Sequence, residues 1–190
     1  MTDTLRFIGN SIEMNTKDRL PICIQHFPSP CGDMILASTE DRLCLCDWSG
    51  MPCAERNKLR LGRYLNAEFI SETSPVLEET KRQLKEYFDG QRHTFSIPLH
   101  LVGTAFQKQV WRALLGIPYA ETRSYKDIAQ EVGKSEGIRA VAQAIGANGI
   151  CILIPCHRVI GSNRSLTGFS GGIEKKRLLL EMETYPSLSL

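Results

Sequence analysis

The chain has 190 residues, 42% of them hydrophobic, and a net charge of only +2. That allows one large domain or two small ones with a packed core, and it excludes a strongly charged protein that coats polyanions. No apolar run approaches the roughly 20 residues that span a bilayer, and residues 1–19 contain no apolar signal-peptide core, so no membrane association is expected. Seven cysteines, an odd number without regular spacing, point to free thiols in a reducing cytoplasm. The charge is uneven along the chain. Residues 1–99 carry 12 basic and 14 acidic side chains, and residues 100–190 carry 11 and 7, which directs any nucleic-acid expectation to the second half.

The polar stretch 1–19 reads as a loose arm. Three short runs of strand character follow, centred on 22–27, 33–38 and 43–48. "SPCGD" and "STEDR" supply the turns between them, and the pattern predicts an antiparallel meander. Residues 54–65 are weakly helical. Pro75 opens a stronger helix, with Ser74 as N-cap, an apolar stripe of Val76, Leu77, Leu84, Tyr87 and Phe88, and Gly90 as terminator. Pro98 and Gly103 break the chain, placing a domain boundary near 99–103, between an N-terminal α/β domain (20–99) and a C-terminal domain (100–190).

The second half is richer in helices. Thr104 is placed to cap "AFQKQVWRALLGI" and Ser124 to cap "YKDIAQEVG", which Gly133 closes. "GIRAVAQAIGA" (137–147) is a third helix of small residues. Short helix, turn, short helix is the helix-turn-helix pattern. "ICILIPC" is apolar and reads as extended, "RVIGSNRSLTGF" as a hairpin about 162–164, and "GIEKKRLLLEME" as a last amphipathic helix.

Cys23, Cys44, Cys46 and Cys151 lie in apolar runs and read as small hydrophobes. Cys31 and Cys53 lie near prolines and read as exposed loop residues. Cys156 differs because His157 and Arg158 follow it. A nearby cation favours the thiolate, and an adjacent base activates it as a nucleophile. Adjacency alone does not establish contact, because successive strand side chains point opposite ways. On these grounds a buried thiol and a nucleophile both remain open.

"ILIPCHRVIG", "LTGFSGG" and "KKRLLLEME", preceded in order by "FQKQVWRALLGIP", "RSYKDIA" and "IRAVAQAIGANG", resemble the O6-alkylguanine-DNA alkyltransferases over about residues 100–183. The N-terminal half resembles them more loosely, through "SPCGDMILAS" and the helix near 75–90. The resemblance implies a fold of α/β (α+β) class: an N-terminal, ribonuclease-H-like domain with a three-stranded antiparallel sheet and helices, then a mostly helical, winged helix-turn-helix-like domain.

It also implies a single-use DNA-repair methyltransferase, without cofactor, that acts as a monomer on double-stranded DNA carrying alkylated bases. In this reading Cys156 takes the alkyl group from O6 of guanine, or from O4-methylthymine. His157 is its base through a water, and Glu183 orients His157. Tyr125 protonates the leaving base, and Asn148 bonds near Cys156. The backbone around Val159 and Ser170, with Phe169, forms the base pocket. Arg139 enters the stack of a flipped-out base, and Ala140, Ala142 and Gln143 belong to the same minor-groove helix. Thr104, Gln107 and Ser124 are the expected phosphate contacts.

The chain departs from the family's usual pattern at a few positions. Gly149 replaces a proline and suggests a looser turn. Arg164 replaces a glycine and would be strained if that position requires positive φ. Phe169 replaces a tyrosine, and Ala142-Gln143 replaces a common Gly-Gly or Gly-x. The family's occasional zinc ligands are not matched as a set, so no metal is expected. Three alternatives stand beside this reading: a lesion-binding protein without transfer, a Cys-His hydrolase and a plain transcription-factor domain. A bacterial origin is expected.

Overall fold

A computed structural model describes residues 19–185; the expected N-terminal arm lies almost wholly outside the described residues. Strands β1 (Leu20–Phe27), β2 (Met34–Ser38) and β3 (Leu43–Trp48) form the expected antiparallel meander. The sheet is not three-stranded, however. After helix α1 (Pro52–Leu65), the four-residue strand β4 (Ala67–Ile70) adds parallel to β1, giving the order β3-β2-β1-β4. So short a run, only partly buried, carries too little periodicity to be seen in the sequence.

β2 is buried on both faces. Met34 and Leu36 join the core beneath α2 (Pro75–Phe88), and Ile35 and Ala37 join the smaller cluster beneath α1, as the two-residue period of a strand requires. α2 begins as the sequence suggests, with the Ser74 side chain accepting from the Leu77 amide at 3.1 Å.

The free edge of β3 is covered by two later segments of the chain, one at the domain boundary and one in the second half. Leu43 N donates to Pro98 O (2.9 Å) and His100 N to Leu43 O (2.8 Å). Farther along, Cys46 N donates to Gly149 O (2.8 Å) and Cys151 N to Cys46 O (2.7 Å). An otherwise open strand edge is thereby used to hold the chain just ahead of Cys156.

Helices α3 (Ala105–Leu115), α4 (Tyr125–Glu131) and α5 (Ile138–Gly146) follow, and α6 (Ile173–Thr184) closes the fold. α3 and α4 each begin with a reciprocal capping box, Thr104 with Gln107 and Ser124 with Asp127. Val141, Ala144 and Ile145 bury one face of α5, and Trp111 of α3 donates its indole N–H to Ala144 O at 2.8 Å. Arg139, Ala140 and Gln143 therefore lie on the exposed face, with Ala142 at its margin. One continuous core runs from β2 and β3 through α2 to α5 and on to residues 150–159 and α6.

Two other expectations change. "ICILIPC" is not a strand. Residues 150–154 make isolated bridges and a tight turn, with Ile152 at φ 72°, and Cys156–Arg158 form one 3-10 turn. The 162–164 region does turn, but no hairpin ladder follows. The strand after the 3-10 turn, β6 (Val159–Ile160), instead pairs parallel with β5 (Arg123–Ser124). The carbonyls a ladder would use are engaged elsewhere: Lys176 Nζ donates to Val159 O and Thr167 O, and the Tyr125 hydroxyl donates to the carbonyls of Thr167 and Gly168. Among the described residues no helix is long and apolar enough to cross a membrane.

Candidate active site

Cys156 sits at the start of the 3-10 turn, 2% exposed. Pro155 cannot donate an amide hydrogen bond and so marks the change from extended chain to turn. Ile152, a β-branched residue, is held in the left-handed region just upstream. Such a conformation costs about 1–2 kcal/mol and persists only where packing over-determines it. Here Ile152 is buried in the shared core.

Asn148 positions the sulfur. Its Nδ2 donates to Ile154 O at 3.0 Å and lies 3.2 Å from Cys156 Sγ, while its Oδ1 accepts from the Ile150 amide at 2.9 Å. Both ends of this buried amide are therefore satisfied. Gly149 is closely approached by two side chains of α1. A Cβ there would stand 3.1 Å from Arg60 Nη2 and 3.2 Å from Asn57, so glycine gives these two side chains room to approach. Arg60 uses that approach to donate to Ala147 O at the end of α5 (2.8 Å).

The Cys156 thiol is held below its ordinary pKa. The hydrogen bond from the Cys151 side chain contributes most, burial opposes it, the Asn148 amide assists, the Asp47 carboxylate opposes and the Lys176 charge assists. The supporting cation is thus Lys176, not the sequence neighbours His157 and Arg158. Lys176 is fully buried, and burial pulls its own pKa down to about 8.

Arg158 turns away from the sulfur to Glu183. Its Nε and Nη2 donate to the two carboxylate oxygens, both at 2.9 Å, and Nη1 donates to Ile117 O at 2.7 Å. Glu183, on the last turn of α6, is 1% exposed. It also accepts from the Tyr87 hydroxyl (2.6 Å) and the Ala120 amide (3.2 Å), and lies 2.8 Å from His157 Nε2. Burial opposes its charge, but the bonds from His157 and Arg158 prevail and hold its pKa well below the ordinary value. Burial is the first cause at His157, where it lowers the pKa against the pull of Glu183. At neutral pH the imidazole is therefore neutral. A carboxylate only accepts, so Nε2 carries the proton and Nδ1 keeps its lone pair. Nδ1 is buried and has no partner among the described residues, which leaves it available as a base.

A further carboxylate lies behind the sulfur. Asp47 of β3 is fully buried and accepts from its neighbour's amide at Trp48 (2.9 Å), from Asn57 Nδ2 (2.8 Å) and, at 3.7 Å each, from the thiols of Cys53 and Cys151. Cys31 and Cys53 are buried, not exposed. Cys151 is more than an apolar filler: its thiol lies between Asp47 and Cys156 and has a single proton to give to one or the other.

On the outer side a cleft of about 620 Å³ is lined by Arg139, Ala142 and Gly146 of α5, by Tyr125, and by residues 167–170, which include Phe169 and Ser170. Gly168 has φ +56°, and a Cβ there would lie 2.9 Å from the Tyr125 hydroxyl, so the wall requires glycine. Phe169 packs edge-on against Trp48 at 5.5 Å between ring centroids. The Val159 amide is spent on Cys156 O and its carbonyl on Lys176, so its backbone has no spare donor. Thr104, Gln107 and Ser124 are engaged in capping. Each hydroxyl accepts from an amide and keeps its own proton to donate.

The sequence reading did not identify Tyr87, Lys176, Asp47 or the Glu183-binding role of Arg158. Lys176 had a signal: Lys176, Leu179 and Glu183 share one helical face at spacings of three and seven.

Two family models match the chain: "6-O-methylguanine DNA methyltransferase, ribonuclease-like domain" over residues 23–101 and "6-O-methylguanine DNA methyltransferase, DNA binding domain" over residues 105–185. A constitutive methylated-DNA–protein-cysteine methyltransferase of Bacillus subtilis is 44% identical, over 82% of this chain and 91% of its own length. A methylated-DNA–protein-cysteine methyltransferase of Methanosarcina barkeri is 43% identical, over 82% and 92%. Among solved structures, the O6-methylguanine methyltransferase of Mycobacterium tuberculosis superposes with a TM-score of 0.72 at 38% identity, covering 86% of this chain and 93% of that one. The M. tuberculosis protein in complex with DNA gives 0.72 at 37% identity, covering 86% and 92%.

Proposed function

Since the chain belongs to the methylated-DNA–protein-cysteine methyltransferase family, we propose that Cys156 is its alkyl acceptor and that the outer cleft receives the damaged base of duplex DNA. The chain is a DNA-repair methyltransferase, and DNA is its partner. The observation that carries the assignment of the acceptor is the setting of Cys156: a buried thiol held by the Asn148 amide, in one 3-10 turn with His157, whose buried Nδ1 has no partner among the described residues.

The thiol proton passes through a bridging water to His157 Nδ1, and Glu183 stabilises the imidazolium that forms. The sulfur then attacks the alkyl carbon. The carbon–O6 bond breaks, its electron pair goes to the purine, and the Tyr125 hydroxyl supplies the proton that makes guanine a better leaving group. To do so, Tyr125 exchanges its main-chain acceptors at residues 167 and 168 for the base. The product on the protein is a thioether, which has no ready leaving group, so each molecule acts once. No cofactor enters this sequence.

A base inside a duplex must be extruded to reach Cys156. Arg139, exposed on α5 and lining the cleft, fills the space it leaves, and Ala140, Ala142 and Gln143 let the helix approach the minor groove. Residues 20–99 then supply the inner wall and residues 100–190 the DNA-binding and transfer surfaces, in a monomer.

The test is stoichiometry. Duplex carrying O6-[³H]methylguanine, mixed in excess with the protein, should transfer label to one equivalent and then stop. Continued turnover, or release of the label as methanol, would point to a hydrolase.

A further inference from the structure

A second cleft, of about 490 Å³, adjoins the base cleft. Arg123, Ser124 and Lys126 at the β5–α4 junction form one wall, and Ser162 and Arg164 in the turn after β6 form the other. Ser162 lines both clefts, so the two meet at that residue. Three cations converge on this groove. Asp127, which also lines it, is tied to the Ser124 amide at 2.8 Å as part of the capping box. Among the described residues Arg123 has one distant ion pair, with Glu121 at 3.9 Å, Lys126 and Arg164 make none within 4 Å, and the Asp127 carboxylate feels Arg123 and Lys126 only as more distant charges.

Arg164 is also the costly residue at its position. Its φ is 63°, in the left-handed region that glycine enters freely and arginine does not. The turn holds it there through Arg164 N to Gly161 O (2.8 Å) and Gly161 N to Ser165 O (2.9 Å). The side chain is exposed, so it repays that strain with no packing in the fold.

We propose that Arg164, with Lys126 and Arg123, is a phosphate clamp for the DNA strand whose base occupies the neighbouring cleft. A nucleotide seated at Tyr125 runs its backbone past Ser162 into this groove, where the guanidinium groups of Arg164 and Arg123 offer forked donors to phosphate oxygens and Lys126 adds a point charge. The contact is to backbone, so it strengthens binding to any sequence and leaves base selection to the cleft lined by Tyr125 and Arg139. The proposal rests on the reading of that cleft as a DNA site.

The test is binding of a short undamaged duplex to the full chain by fluorescence anisotropy across a salt series. Wild type is compared with Arg164→Gly, Arg164→Lys and, as a control for net charge, Lys85→Ala on α2. One lost phosphate contact lowers the slope of log K against log salt by about 0.9, which is roughly eightfold weaker binding at 0.1 M salt. Arg164→Gly should show that loss without a fall in Tm, since glycine suits the backbone there, and Arg164→Lys should keep the wild-type slope. A wild-type slope in Arg164→Gly, or an equal loss in Lys85→Ala, overturns the clamp. Reaction of the wild-type protein with free O6-benzylguanine tests the underlying reading separately: failure there sinks the alkyl-acceptor assignment, whereas a wild-type slope in Arg164→Gly sinks only the clamp.

Discussion

Cys156 separates two regions built on opposite principles. Behind it lies a network in which Glu183 alone accepts from the buried Arg158, Tyr87 and His157 and from the amide of Ala120 at its rim. In front lies an open cleft whose groups are exposed or half-buried, such as Tyr125, whose hydroxyl rests on the carbonyls of residues 167 and 168. Low dielectric strengthens the inner interactions and makes each unpaired group there expensive. The outer groups gain little from the fold. The inner side should therefore govern both stability and thiol chemistry, and the outer side only recognition.

The largest effect should come from the inner carboxylate. Glu183→Ala leaves the Arg158 charge buried without its partner, which costs about 3–5 kcal/mol. It also frees His157 from its tautomer. Urea denaturation should show the loss, and a change under about 1 kcal/mol would break the division between the two sides. Asn148→Ala should cost less, about 1–3 kcal/mol, by stranding the buried Ile150 amide; the Ile154 carbonyl keeps the Cys156 amide at 2.8 Å. It should also shift the pH profile of Cys156 alkylation upward, because the thiolate loses a donor.

Arg139→Ala tests the outer side. Stability should stay within about 0.5 kcal/mol, as at other exposed positions. Transfer from duplex should fall by about 10²-fold, since extruding a base costs a few kcal/mol, and transfer from free O6-benzylguanine should fall less. Equal losses would remove Arg139 from extrusion.

The smallest effect is in pH. His157 has a lowered folded pKa, so below its ordinary value of about 6.5 the unfolded chain binds a proton that the folded chain refuses. Stability should therefore fall as pH drops from 7 to 5. His157→Gln, which cannot titrate, should show a shallower fall in a paired denaturation series.

The same division explains what could be read in advance. The caps at Ser74, Thr104 and Ser124 depend on residues three apart, and the structure has all three. Cys156 and His157 adjoin in sequence, and Asn148 and Glu183 belong to motifs of the same half. The rest depended on distant partners. A lysine is expected in solvent, and only the carbonyls of Val159 and Thr167 explain Lys176 inside. Asp47 in an apolar strand gains its meaning from Asn57, Cys53 and Cys151, the last 104 positions away. Ile152 at positive φ contradicts local preference outright, and the strand expected there fails because tertiary packing overrides it.

The account stands most directly on the atom that receives the alkyl group. After reaction with O6-methylguanine duplex, peptide mass mapping should find the mass of one methyl group on the peptide containing Cys156, and on no peptide of Cys156→Ala. A methyl group on another residue, or equal labelling of Cys156→Ala, would contradict it.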